Sequence, residues 1–157
     1  MPMEPKKIPG YPRHSLSRDG TLYTDGEPAK VFVGRNGYWQ AYLWRGKKKT
    51  RHPKMIYKLM ARTYLRTRPS GEHLIRHLDG NSLNDSADNL AWGTHADNME
   101  DLRKHRLERA PLTNDLKKSI IRAVKKCDRS VESLQAIAEK HNVAFSTVNR
   151  LYWKVKK

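Results

Sequence analysis

The sequence predicts a mixed α+β protein in three stretches. These are a small β-rich module with a packing helix (residues 1–65), a strand–loop–strand–helix core (66–108) and an all-α C-terminal domain (109–157). Three observations lead there. Asp19-Gly20, Asp25-Gly26 and Asn36-Gly37 punctuate short strand-forming runs, and such pairs are strong hairpin signals. Apolar residues recur at helical spacing after Pro53 and again after Asn114. Between these regions a polar, Asn-rich loop separates two short apolar runs.

In the first stretch, Pro2, Pro5, Pro9 and Pro12 keep the opening residues out of a regular helix. Strand-like runs follow at His14–Ser17, Thr21–Thr24, Lys30–Val33 and Tyr38–Trp44. In the last of these, Trp39, Ala41 and Leu43 alternate with Tyr38, Gln40, Tyr42 and Trp44, so one face is aromatic and partly polar. The aromatics suit a small core. The basic turn Arg45, Lys47, Lys48, Lys49 and Arg51 either solvates a hairpin tip or contacts phosphates. A helix is expected from Pro53 to Leu65, with proline at its first position and Ile56, Leu59, Met60, Thr63 and Tyr64 on its inner face.

The core stretch holds most of the chemistry. His77 closes the run Leu74-Ile75-Arg76, and Gly80-Asn81 turns the chain into a loop containing Asn84, Asp85, Ser86, Asp88 and Asn89. After Leu90-Ala91-Trp92, Thr94 is placed to cap a helix from about His95 to about His105, with Met99 and Leu102 inward and Asn98 one turn in.

In the last stretch Thr113-Asn114 caps a helix running to Lys126, with Leu116, Ile120, Ile121 and Val124 inward. The block Ser133–Leu151 resembles a helix-turn-helix. Asn142 stands at its turn, where positive φ is needed, and Ser146, Thr147, Asn149 and Arg150 are expected on the outer face toward a major groove, with Lys154 extending the charge.

Bulk properties fit a nucleic-acid partner. Hydrophobic residues make up only 37% and charged ones 31%, so much of the chain lies near solvent. The net charge is +16, and it favours a polyanion bound in a salt-dependent way. It is uneven: +6 over residues 1–50, +2 over 51–108 and +8 over 109–157, leaving a nearly balanced centre between basic flanks. Cys127 is the only cysteine, which excludes an intrachain disulfide and a four-cysteine zinc site. With no apolar signal core and no long apolar run, a soluble, cytoplasmic protein is expected, without a membrane partner and monomeric.

The phrase Arg-His-Leu-Asp-Gly-Asn, followed by Asn-Leu-Ala-Trp-Gly-Thr and Asp-Asn-Met, resembles the HNH endonucleases, phage-encoded ones in particular. The signature positions fall on His77, Asn89 and Asn98, spaced by twelve and then nine residues. The resemblance implies a ββα-metal core and metal-dependent hydrolysis of phosphodiester bonds in double-stranded DNA, as in phage and homing-type enzymes acting in a host cytoplasm. It makes His77 the general base, Asn89 a structural member that holds the loop, and Asn98 a ligand to a divalent ion, Mg²⁺ or Mn²⁺. Many active relatives carry an Asp or His ligand just before the histidine. Here that position is Arg76, which cannot ligate a cation. Asp79, His95 and Asp97 are the nearby substitutes, and Arg76 is a candidate to grip a phosphate instead. The alternative is an HNH-fold protein that binds DNA without cutting it, and an RNA-directed role is the remaining rival.

Overall fold

The computed structural model describes residues 4–50, 52–65, 67–69, 71, 73–109, 111–128 and 130–155. Arg51 lies outside the described residues, and so does the side chain of Lys49. Strands β1 (Lys6–Ile8), β2 (Tyr11–Leu16), β3 (Leu22–Thr24) and β4 (Glu27–Pro28) form an antiparallel meander. The β3–β4 turn needs positive φ at both central residues, and Asp25 (52°) and Gly26 (93°) supply it. The first strand was hidden in the sequence by its prolines. Pro5 and Pro9 flank β1, and Pro12 falls inside β2 where the pairing register shifts, so β2 begins at Tyr11 rather than near His14.

A second sheet orders β5 (Phe32–Val33), β6 (Trp39–Ala41) and β9 (Lys54–Met55), and the basic turn forms its own hairpin, β7 (Trp44–Arg45) with β8 (Lys48–Lys49). Lys54 and Met55 pair with Ala41 and Gln40, so the first helix, α1, starts at Ile56 and ends at Tyr64. Proline therefore precedes a strand here and does not occupy the first helical position. The α1 stripe is buried as its spacing requires, through Ile56, Leu59, Met60 and Ala61. Tyr64 donates its hydroxyl to the Leu16 carbonyl at 2.6 Å.

The central unit is a hairpin of β10 (Leu74–His77) and β11 (Leu90–Gly93), followed by α2 (His95–Glu108). Thr94 caps α2 in a reciprocal box with Asp97. None of the α2 residues is buried, and Met99 and Leu102 are exposed, contrary to the expected inner face. The helix is held at its N-terminal end and through polar contacts, so its apolar residues never needed a partner layer. The C-terminal unit is α3 (Asn114–Lys126), α4 (Val131–Lys140) and α5 (Phe145–Val155), with Asn142 at φ 49° in the turn between the last two.

Two apolar clusters organise the whole. One gathers Ile8, Leu16, Leu22, Ala41, Leu43, α1 and Leu90, so the N-terminal sheets and the β10–β11 unit share a core. The other gathers Ile120, Val124, Leu134, Ile137, Phe145, Val148, Leu151 and Tyr152 from the three C-terminal helices, and it takes in Leu83 from the central loop. Trp39 packs against both clusters, and its indole N–H donates to the Leu83 carbonyl at 3.1 Å.

His14 ties the first sheet to the β7–β8 hairpin. Its Nε2 accepts the backbone N–H of Trp44 at 2.7 Å, so Nδ1 carries the proton and faces Thr24 Oγ1 at 2.9 Å. Burial pushes its pKa below the ordinary value near 6.5, since the neutral ring is the one the site accommodates. Below about pH 6.5 the unfolded chain takes up a proton that the native ring resists, so stability is lost as pH falls through that range. The urea midpoint should therefore drop between about pH 7.5 and about pH 5.5, and His14→Gln should flatten part of that slope.

Candidate active site at the end of β10

The residues of the central loop are held by one carboxamide. Asn89, buried, accepts the Asp79 backbone N–H on Oδ1 at 3.0 Å. Its amide nitrogen donates to Asp79 Oδ1 at 2.9 Å and to the Asn84 carbonyl at 2.8 Å. Asn84 in turn donates to Asp79 Oδ2 at 2.7 Å, and Asn81 gives its backbone N–H to Asp79 Oδ1 at 2.8 Å. Burial alone would raise the Asp79 pKa. The bonds from Asn84, Asn81 and Asn89 outweigh it and hold the carboxyl below the usual range.

That loop returns Asp85 to His77. The imidazole Nε2 lies 2.8 Å from Asp85 Oδ1, with the side chains 9% and 3% exposed. The Tyr57 and Tyr38 rings pack against it at 5.4 and 5.9 Å between centroids. Burial pushes Asp85 up. The bond and charge of His77 and the Tyr57 backbone N–H in the first turn of α1 offset only part of that, and the carboxyl stays above the usual range. With Asp85 ionised, Nε2 is the ring nitrogen that donates to it, and Nδ1 is the one left for other partners. Sequence reading missed Asp85 as a functional residue. An aspartate eight positions after a histidine inside a turn-rich loop carries no signal until the loop folds back.

The other face of the hairpin meets α2. Arg76 lies 17% exposed, with Nε 3.2 Å from Asp101 Oδ2 and Nη1 3.6 Å from Asp97 Oδ2. Its Nε and the Asp101 oxygen are buried without an aligned hydrogen bond, so the contact is one of charge. Asn98 stands half-buried on α2 between the two aspartates in sequence, and His95 is exposed at the first helical residue.

The expected cation ligands do not converge. Asp79 has both oxygens engaged within the loop. Asp97 Oδ2 accepts the Thr94 backbone N–H at 2.8 Å and the Thr94 hydroxyl at 2.9 Å. Among the described residues no three His, Cys, Asp or Glu side chains are grouped to hold a metal ion. Arg76 places a positive charge against Asp97 and Asp101, so the described donor set does not fit a resident divalent ion.

The expected DNA contacts divide. Arg45, Lys47 and Lys48 are exposed on the β7–β8 hairpin, and Ser146, Arg150 and Lys154 are exposed on α5, with Thr147 half-buried. Asn149 does not face a groove. It is 3% exposed and donates from its amide to the carbonyls of Gly34 and Arg35, both at 3.3 Å. Its place on the helix wheel was compatible with either face, and the neighbouring β5–β6 turn decided between them.

No family model matches the chain. Two proteins of Acanthamoeba polyphaga mimivirus are similar to it. The uncharacterized HNH endonuclease L247 is 25% identical over 141 residues, covering 87% of this chain and 34% of that protein. The uncharacterized HNH endonuclease L245 is 27% identical over 144 residues, covering 90% and 40%. The chain thus spans well under half the length of these relatives. Among solved structures, the HNH homing endonuclease I-HmuI, described for DNA binding and cleavage, superposes with a TM-score of 0.55 at 22% identity. That match covers 88% of this chain and 83% of the other, and the fold is shared.

The tautomer assigned to His77 is directly observable. Long-range ¹H–¹⁵N spectra of the histidines should show His77 protonated at Nε2 with Nδ1 bare, and Asp85→Leu should abolish that preference.

Proposed function

We propose that this chain, whose relatives in sequence and fold support the HNH endonuclease family, is itself an endonuclease that hydrolyses phosphodiester bonds of duplex DNA. The observation that carries the reading is the buried His77–Asp85 pair at the end of β10, at the signature histidine of the motif. Asp85 fixes the ring and the proton on Nε2, which leaves Nδ1 to take a proton from water as its oxygen bonds to phosphorus. The bond from phosphorus to the leaving oxygen breaks, and that oxygen is protonated from solvent. In this role His77 is the catalytic base and Asp85 a positioning residue, while Asn89 holds the loop that brings them together.

The charge distribution supports DNA as the substrate. The exposed Arg45, Lys47 and Lys48 and the exposed Arg150 and Lys154 supply phosphate contacts from opposite ends of the sequence, and Ser146 and Thr147 are the remaining base-reading candidates on α5. The Arg76 ion pair favours one alternative, a protein that binds DNA on this scaffold without cutting it.

Nicking of supercoiled plasmid separates the two. With Mg²⁺, Mn²⁺ and EDTA arms run in parallel, the full chain should cut in at least one. His77→Ala should lower the rate by roughly 10²–10⁴-fold, the usual contribution of a general base. Asp85→Asn should give a smaller loss and shift the pH profile of cleavage. Salt-sensitive binding with no cutting in any arm would leave the binding protein.

A further inference from the structure

The turn between β5 and β6, residues 34–37, lies along the flank of α5. Asn149 donates its amide to the Gly34 and Arg35 carbonyls, both at 3.3 Å, and the Arg35 guanidinium carbon sits 5.1 Å from the centre of the Trp153 ring. At the other end of the turn Gly37 is buried, and a Cβ built there would lie 3.8 Å from the Ser146 Cα. Ser146, Asn149 and Trp153 follow one another at spacings of three and four residues, so the β5–β6 turn tracks a single stripe of the helix. The central loop fastens it from the other side, where the Ser82 hydroxyl donates to the Gly37 carbonyl at 2.7 Å.

The adjoining stripe of α5, made of Ser146, Arg150 and Lys154, is exposed, and so are Arg35 and Asn36 beside it. No acidic residue occurs in α5. Arg13, Arg18, Arg76 and Arg103 each face a carboxylate, whereas Arg35, Arg150 and Lys154 face none among the described residues. The indole of Trp153 holds the Arg35 side chain without offering an oxygen, so N–H donors remain for one. Two segments far apart in sequence therefore present one unneutralised basic surface, whose complement is a polyanion.

The shape of that surface fixes which part of a duplex each residue meets. A helix with its side chains is about 10–12 Å across, and the major groove is about 12 Å wide. A helix seated there fills the groove, so base edges fall to its leading face and a group on its flank meets the wall, which is phosphate. We propose that the β5–β6 turn is a second DNA-binding element of this chain, in which Arg35 grips a backbone phosphate beside the groove that α5 occupies. This rests on the reading of duplex DNA as the substrate. Asn149 is then a positioning residue, since it belongs to the reading helix but uses its amide to hold the turn that carries the contact.

The experiment is fluorescence anisotropy of labelled duplex DNA titrated with the full chain in EDTA, so that binding is read without cleavage. Duplexes of two unrelated sequences are compared over a range of KCl concentrations, with Arg35→Ala and Arg35→Lys proteins checked for folding by thermal melting. Arg35→Ala should weaken binding roughly tenfold on both duplexes and lower the slope of log affinity against log salt by about 0.9, the share of one phosphate contact. Arg35→Lys, which keeps the charge, should restore that slope.

Unchanged affinity and slope in Arg35→Ala, with the wild type still binding, would overturn the role of Arg35 and leave duplex DNA as the substrate. An affinity loss at an unaltered slope, as a packing role gives, would overturn it too, and so would a loss confined to one duplex, as base reading gives. Failure of the wild type to bind either duplex at low salt would remove the DNA reading and this proposal together.

Discussion

The knot between Asn89 and Asp79 is the constraint on which the rest of the structure depends. A single carboxamide satisfies the backbone of Asp79, its side chain and the carbonyl of Asn84, and so closes a loop of polar residues that has no ladder of its own. Within that closed loop Leu83 points into the C-terminal helical core, and Asp85 returns to His77. If the knot were open, both residues would sit on an unrestrained surface segment. The loop is thus the joint at which two cores and one candidate reaction centre meet, and its chemistry is entirely polar.

Much of this was legible in the sequence, for identifiable reasons. The α1 stripe, the Thr94 cap and the positive φ at Asn142 each follow from a local rule acting on a few neighbouring residues. The positions of His77, Asn89 and Asn98 were visible because their order and spacing are distinctive together. What could not be read was anything decided by distant contacts. Asp85 gains its meaning only from the closed loop. Asn149 faces inward because the Gly34 and Arg35 carbonyls need donors. The first strand hid between Pro5 and Pro9, which flank it. The expected inner face of α2 rested on two apolar residues with nothing to cover them, and a pattern that sparse does not fix a face.

The two faces of one short strand divide the chemistry. His77 turns toward α1, where aromatic rings and a buried carboxylate fix its orientation. Arg76 turns toward α2, where carboxylates face its charge. Alternation along β10 places a neutral, titratable ring and a permanent cation within a single residue step while keeping their environments apart.

The contacts of Leu83, Trp39 and Asn149 also bear on modularity. The C-terminal helices do not hang from a tether. They are inlaid against a turn of the N-terminal sheet and a residue of the central loop. A graft of these helices onto another scaffold would leave behind the indole, the turn carbonyls and the loop leucine that complete their core. Shuffling of such a unit between proteins would therefore have to carry the receiving surface along with it.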